Sequence, residues 1–283
     1  MQFNVAFFVP PGYPGVQAFD EIGYTIQCAL GRLGHDVIVS RNSFYATRIN
    51  ILFGGHLLGL HHHAQLPART IIYNTEQLGS GAAVIRPHYR ALLAMRPVWD
   101  YSPANLEWLA REVPGACGVH APISHVPELR RIARAPVEDI DVIFYGEMND
   151  RRERILQGLV SAGIDVTTVM NCFGPQRDAL IARSKLVLNL HAHETRIFEI
   201  VRVSYLLANA RCVVSELYAD TAIEPGLREA VAGAPADRLA ETIRALLEDA
   251  DARRALGERG QRIFSARDAV AMLRTCLAAT PIA

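Results

Sequence analysis

The sequence predicts an α/β protein of two consecutive Rossmann-like, parallel-sheet domains facing a central cleft. Short continuous apolar runs alternate with amphipathic stretches along most of the chain. The alternation pauses near the middle, at a polar stretch containing proline, and then resumes. At 283 residues, half of them hydrophobic, the chain can fill two cores of ordinary domain size. Alternating strands and helices imply right-handed crossovers, hence parallel sheets.

Taken in order, FNVAFFV is an apolar run of strand length, and the PPGYPG that follows reads as a loop from its Pro and Gly content. Residues 19–33 place Ile22, Ile26, Ala29, Leu30 and Leu33 at helical spacing, and Gly34 stands where such a helix ends. DVIVS is the second strand, with NILFGGH and RTIIYNTEQ as further short buried strands. Residues 89–95 read as a helix and PVWDYS as extended chain. NLEWLAREV is a second helix with Ser102 or Asn105 near its cap, and GVHAPIS a last strand. Residues 125–139 lack a long apolar period and make the linker. A second alternation follows: DVIFYG, a helix over 152–162, DVTTVM, a helix over 177–183, KLVLNLH, a helix over 198–208 and CVVSE. Residues 237–277 are helical, with Leu239, Ile243, Leu246 and Leu247 on one stripe. The expected domains are 1–135 and 136–283, with the last helices able to pack back on the first.

Composition narrows the partners. Twenty-nine basic and twenty-nine acidic residues leave no net charge, which argues against a nucleic-acid binder that must neutralise many phosphates. No apolar run is long enough for a membrane span, although Arg130, Arg131 and Arg134 allow weak peripheral contact with anionic lipid. MQFNVAFFVPPGYPG lacks a basic leader and a small-residue cleavage site. Cys28, Cys117, Cys172, Cys212 and Cys276 are scattered, odd in number and without a CxxC, as expected of reduced thiols in a cytoplasmic protein.

A doubly wound sheet leaves its ligand crevice at the carboxyl ends of its strands. In the second half those ends carry Gly146, Arg151, Arg152, His191, His193, Glu194 and Glu199, groups that suit a nucleotide diphosphate and a sugar. Glu199 and Arg202 lie three apart on one helical face of a largely apolar helix, where a buried carboxylate needs partners. Of the two adjacent arginines, Arg152 at the helix start is the better placed to stabilise a diphosphate leaving group by bidentate contacts. Gly12 and Gly15, after the first strand, would let backbone amides approach phosphate. That loop is not GxGxxG and no acid follows VIVSRN, so a dinucleotide-dependent dehydrogenase is disfavoured. Glu76, at the end of a strand, and Asp20, at a helix start, are the candidates for a general base. His56 also ends a strand. His61, His62 and His63 are consecutive, and neighbouring side chains diverge, so an exposed polar loop is expected there and no metal site.

DVIFYGEMNDRRERIL, FGPQRDALIARSKLVLNLH, FEIVRVSYLLAN and VVSE together resemble the donor domain of GT-B glycosyltransferases. The similarity is to a bacterial "glycosyl transferases group 1" type with a Phe-Glu-x-x-Arg helix, and IIYNTEQL and VWDYSPANLEWL extend it to residues 71–216. The resemblance implies that Glu199 binds the donor's ribose hydroxyls and that Arg202 fixes Glu199 or approaches phosphate. His191 or His193, from their place at the end of a strand, could meet sugar hydroxyls or phosphate. Arg177, with Asp178, would line the base pocket. One departure is plain: the Glu-x7-Glu pair of many retaining relatives would fall on Ile197 and Tyr205, so the stereochemical outcome is left open.

The expected function is metal-independent transfer of a sugar from a nucleotide-diphosphate sugar, a UDP- or GDP-sugar, with no separate cofactor. The acceptor would be a hydroxyl of a glycan, lipid, protein or metabolite. Two alternatives share the architecture: a nucleotide-sugar epimerase and a non-catalytic nucleotide-sugar binder.

Overall fold

The computed structural model of the protein describes residues 1–79, 85–193 and 196–282. Glu194, expected at a strand end, lies outside the described residues. The chain divides into two units, Met1–Val126 with Arg267–Ala283, and Pro127–Ala266.

Unit 1 runs β1 (Gln2–Phe7), α1 (Asp20–Arg32), β2 (Asp36–Arg41), β3 (Ile49–Phe53), α2 (Leu60–His63), β4 (Thr70–Asn74), α3 (Pro87–Met95), β5 (Val98–Asp100), α4 (Pro103–Glu112) and β6 (Gly118–His120). Its six strands are parallel, in the order β2-β1-β3-β4-β5-β6. Strands β3 and β4 are buried at every residue, as sequences without polar alternation require, while edge strand β2 is partly or fully exposed at every residue. Phe7, Phe53, Tyr73 and Trp99 form an aromatic row across the sheet, with successive ring centroids 5.2, 4.9 and 6.4 Å apart. Trp99 Nε1 donates to Thr280 Oγ1 at 2.8 Å, which ties the chain's last residues into this core. The last strand is shorter than the GVHAPIS run suggests, because Pro122 has no N–H to offer a ladder.

Unit 2 runs β7 (Ile140–Tyr145), α5 (Asp150–Ser161), β8 (Val166–Val169), α6 (Gly174–Arg183), β9 (Ser184–Asn189), α7 (Ile200–Ala208), β10 (Val213–Glu216), β11 (Ala232–Ala234), α8 (Leu239–Glu248) and α9 (Ala250–Ser265). Its five strands are parallel, in the order β11-β10-β9-β7-β8. Phe144, Leu156, Leu188, Val214, Leu239 and Ile243 meet in its core. Residues 127–132 are fastened to this unit: Asn209 Oδ1 accepts from the amides of Arg131 and Ile132, both at 2.7 Å. The helical stretch read over 237–277 is three helices. Asp249 and Asp268 each cap a new one, accepting from Ala252 N and Val270 N at 2.8 Å, and α10 (Ala269–Ala279) belongs to unit 1.

In each sheet the strand first in sequence lies between the next two to form, so the order reverses beside it. Those reversals, between β7 and β9 in unit 2 and between β1 and β3 in unit 1, are where such sheets open a crevice.

Candidate functional site

Unit 2 gathers polar groups at the carboxyl ends of β7 and β9. β7 leads into Gly146, whose φ of 145° is a backbone region that favours glycine. Arg202, one turn into α7, lies over this glycine. Its guanidinium carbon stands 5.7 Å from both the Phe144 and Tyr145 ring centroids, and a Cβ on Gly146 would collide with its Nη2. Gly146→Ala is therefore expected to strain the backbone by about 1–3 kcal/mol and to displace Arg202; a crystal structure and a melting curve of the variant would check both.

Glu199 precedes α7 and points back at β9. Its carboxylate accepts from Asn189 Nδ2 at 3.0 Å and from Ala192 N at 3.2 Å, and His191 Nδ1 lies 3.1 Å from both its oxygens. Burial works to raise the Glu199 pKa, but the His191 hydrogen bond and charge, then Arg202 and Asn189, hold it below the ordinary carboxylate value. Asn189 Oδ1 takes Arg202 Nη1 at 3.4 Å and so links both ends of the Glu-x-x-Arg pair. His191 is fully buried, with its ring stacked toward Tyr218 at 6.4 Å.

The two adjacent arginines have separate tasks. Arg152 is buried, and its terminal nitrogens donate to the carbonyls of Glu147 (2.7 Å) and Leu190 (2.8 Å). Burial, helped by the charge of Arg202, pushes its pKa down to about 9. Asn149 caps α5 by accepting from Arg152 N at 2.9 Å and also donates to Ala192 O at 2.8 Å, so the β7 and β9 loops are tied together. Arg151 reaches across to β10. It donates to both oxygens of the fully buried Glu216, at 2.8 Å for Nη1 to Oε2, and to His191 O at 3.1 Å. Glu216 also accepts from Tyr218 Oη at 2.8 Å and from His191 N at 3.1 Å. Burial pushes its pKa up, yet Arg151 and Tyr218 more than compensate and hold it down.

Gly146, Arg152, His191, Glu199 and Arg202 thus meet around one pair of strand ends, and partly exposed His193 follows on the β9 side. Arg177 does not join them through its charge. It is buried on Asp178 at 2.8 Å and over the Tyr205 ring at 4.6 Å, and Tyr205 Oη donates to Asp178 at 2.8 Å. Sequence reasoning undervalued Arg151, Glu216, Tyr218 and Arg196. Arg196 lies 4.0 Å from the Tyr218 ring centroid and pairs with Asp220 at 2.7 Å. An acid closing the buried run CVVSE was the signal for Glu216, since a carboxylate there needs a cation.

The remaining candidates belong to unit 1. Gly12 has φ 75° and open space at its missing Cβ, and Gly15 adjoins the Tyr13 ring. Asp20 is half-buried and pairs with Arg41 through both oxygens, at 2.8 and 2.9 Å. Glu76 follows β4, with Oε1 3.4 Å from His56 Nδ1. The triple histidine departs from the polar loop expected: α2 covers it, and His63 is buried, because Leu60–His63 closes a helical turn against the core. Among the described residues, no group of three or more His, Cys, Asp or Glu is arranged to hold a metal ion. No helix among them is long and apolar enough to cross a membrane.

Solved structures share this architecture. Anabaena HepE, solved in complex with UDP and glucose, superposes with a TM-score of 0.64 at 12% identity, covering 97% of this chain and 98% of that one. The fold is GT-B. Sucrose-phosphate synthase from Thermosynechococcus elongatus gives 0.59 at 15% identity, covering 98% of each chain. AviGT4, a glycosyltransferase involved in avilamycin A biosynthesis, gives 0.57 at 16%, covering 97% and 96%. At these identities the likeness establishes fold. No family model matches the chain. In sequence it is 27% identical over 152 residues to the uncharacterized protein L137 of Acanthamoeba polyphaga mimivirus. The match takes in 53% of this chain and 21% of the viral protein, so the chain spans about a fifth of the length of that relative.

Proposed function

We propose that the protein transfers a sugar from a nucleotide-diphosphate sugar, a UDP- or GDP-sugar, to an acceptor hydroxyl. Unit 2 holds the donor and unit 1 serves the acceptor. The observation that carries this reading is the Glu199–His191–Asn189–Arg202 cluster over Gly146, seated where the strand order of unit 2 reverses. A carboxylate can accept from both hydroxyls of a ribose, and Glu199 is pre-aligned by partners that keep it ionised. Arg202 is the cation for the diphosphate, with a planar fork suited to two phosphate oxygens. Arg152 serves from beneath, holding the carbonyls of the loops on either side. Positive charge fixed in place would stabilise the leaving diphosphate without a metal. The Phe198-Glu199-x-x-Arg202 helix supports assignment to the group 1 type named by the sequence resemblance.

Calorimetric titration with UDP, GDP, CDP, ADP and dTDP, with and without magnesium, tests the reading. We expect one of the first two to bind selectively, with little change on adding magnesium. Consumption of its sugar conjugate should then require an acceptor. Product formed from the donor alone would point to an epimerase, and tight binding without turnover over a broad acceptor panel to a binding protein.

A further inference from the structure

We infer that the end of β10 and the loop after it position the donor's ribose contact: Glu216 and Thr221 hold His191 in place, and His191 aims the Glu199 carboxylate at the ribose hydroxyls. The inference deepens the transferase reading and rests on it. Its first support lies where the β9–β10 ladder stops. Backbone pairing of the two strands ends at Asn189 and Ser215, and the peptide groups of the buried His191 need other partners. One ion pair supplies both. Glu216 Oε2 accepts from His191 N at 3.1 Å, and Arg151 Nη1 donates to His191 O at 3.1 Å while also donating to Glu216 Oε2 at 2.8 Å.

The second support is the ring, whose side chain has no exposed surface. Nδ1 lies 3.1 Å from both Glu199 oxygens, and an ionised carboxylate only accepts, so Nδ1 carries the proton. On the opposite side Thr221 Oγ1 stands 3.5 Å from Nε2 and accepts from Tyr218 N at 2.9 Å. The imidazole stacks toward the Tyr218 ring at 6.4 Å, with 23° between the planes, and Tyr218 Oη donates to Glu216 at 2.8 Å. His191 is engaged at its amide, its carbonyl and both ring nitrogens. It reaches a ligand only through Glu199, which makes it and the residues behind it positioning residues.

The third support is that the same loop also holds the chain leading into Glu199. Ala222 N donates to Arg196 O at 2.9 Å and Phe198 N to Ala222 O at 3.0 Å, a parallel bridge between Ile197 and Ala222. Arg228 fastens the loop in turn, donating to the carbonyls of Tyr218 at 3.1 Å and Thr221 at 3.2 Å. Residues 216–222 therefore set Glu199 from two directions, through the backbone before it and through the imidazole beside it. A binding group must be held to within about 0.5 Å of its productive place, and this loop is what leaves the carboxylate no other.

Two measurements on the full chain test this. Nitrogen NMR of labelled histidine should show a proton on His191 Nδ1; its absence there would overturn the inference whatever the ligand. Second, calorimetry compares UDP with 2′-deoxy-UDP and GDP with 2′-deoxy-GDP. For the nucleotide that binds, wild-type protein should favour the ribose form about 10–100-fold, the worth of one hydrogen bond to a charged acceptor. Two variants loosen His191 in different ways: Thr221→Val keeps the ion pair, and Arg151→Met with Glu216→Leu keeps the space filled. The first should lower the ribose preference at least about threefold, and the second should bring the two affinities to within about threefold of each other. Glu199→Ala should abolish the preference, and adding Thr221→Val to it should change the ratio no further. A loss of folded protein alone weakens both nucleotides alike and leaves their ratio intact. A wild-type preference kept by both loosened variants would overturn the inference and leave the transferase reading standing. Wild-type protein that binds neither UDP nor GDP would overturn both.

Discussion

Glu216→Ala is expected to lower the stability of unit 2 by about 3–5 kcal/mol, the cost of leaving a buried ion pair half made. Glu216 is fully buried, and its removal leaves Arg151, Tyr218 Oη and His191 N without their shared acceptor. For a unit of this size the loss corresponds to roughly 10 °C in midpoint. Circular dichroism reads both units, whereas Trp99 and Trp108 lie in unit 1, so tryptophan fluorescence reads that unit. The dichroism transition should shift more. Replacing both partners, Arg151→Met with Glu216→Leu, should recover much of the loss, since apolar packing removes both desolvation costs. The pair also sets an acid response. Glu216 and Glu199 are both held below 4.5 in the fold, so their stabilisation is complete above that pH and is lost as pH falls through the lowered values. The acid limb of stability should flatten in the alanine variant. A cost under about 1 kcal/mol, the range of an exposed pair, with an unchanged acid limb, would show that Glu216 is not buried against Arg151.

Much of this arrangement was legible before the structure. Apolar runs such as IIY and VIFY stated their strands, and the alternation stated parallel sheets, because a strand buried on both faces has no room for polar alternation. Gly146, His191, Glu199 and Arg202 could be nominated together because each falls at a strand end or the following helix start. What the sequence left hidden depends on side-chain direction. Arg151 and Arg152 are neighbours in a helix, so they diverge by about 100°; nothing local says which faces the buried carboxylate of β10 and which turns under Phe144. The strand β11 was missed because AGA carries no β-forming side chain and is held by pairing with β10 alone. The His56–Glu76 approach joins the ends of two strands and has no spacing in sequence to announce it.

Arg202→Ala and Arg152→Ala are expected to fail in opposite ways, and the contrast locates the donor site. Arg202 is partly exposed; Glu199, the carboxylate that its charge helps keep ionised, is already bound by His191 and Asn189, and its fork lies over a glycine. Such a cation retains charge to offer an anion. Removing it should weaken nucleoside-diphosphate binding about 10–100-fold, the loss of one or two charge-assisted hydrogen bonds, and change stability by less than about 1 kcal/mol. Arg202→Lys should recover only part of the affinity, since an ammonium cannot span two phosphate oxygens as a fork does. Arg152 has already committed its terminal nitrogens to the Glu147 and Leu190 carbonyls. Its removal strands two acceptors and should cost about 1–3 kcal/mol of stability, while the molecules that remain folded bind nucleotide nearly as the wild type does. Titration calorimetry on both variants, corrected for the folded fraction from their melting curves, separates the cases. If Arg152→Ala loses affinity and Arg202→Ala keeps it, the diphosphate is held on the α5 side of the β7 loop, and Arg202 serves only to pack against Phe144 and Tyr145.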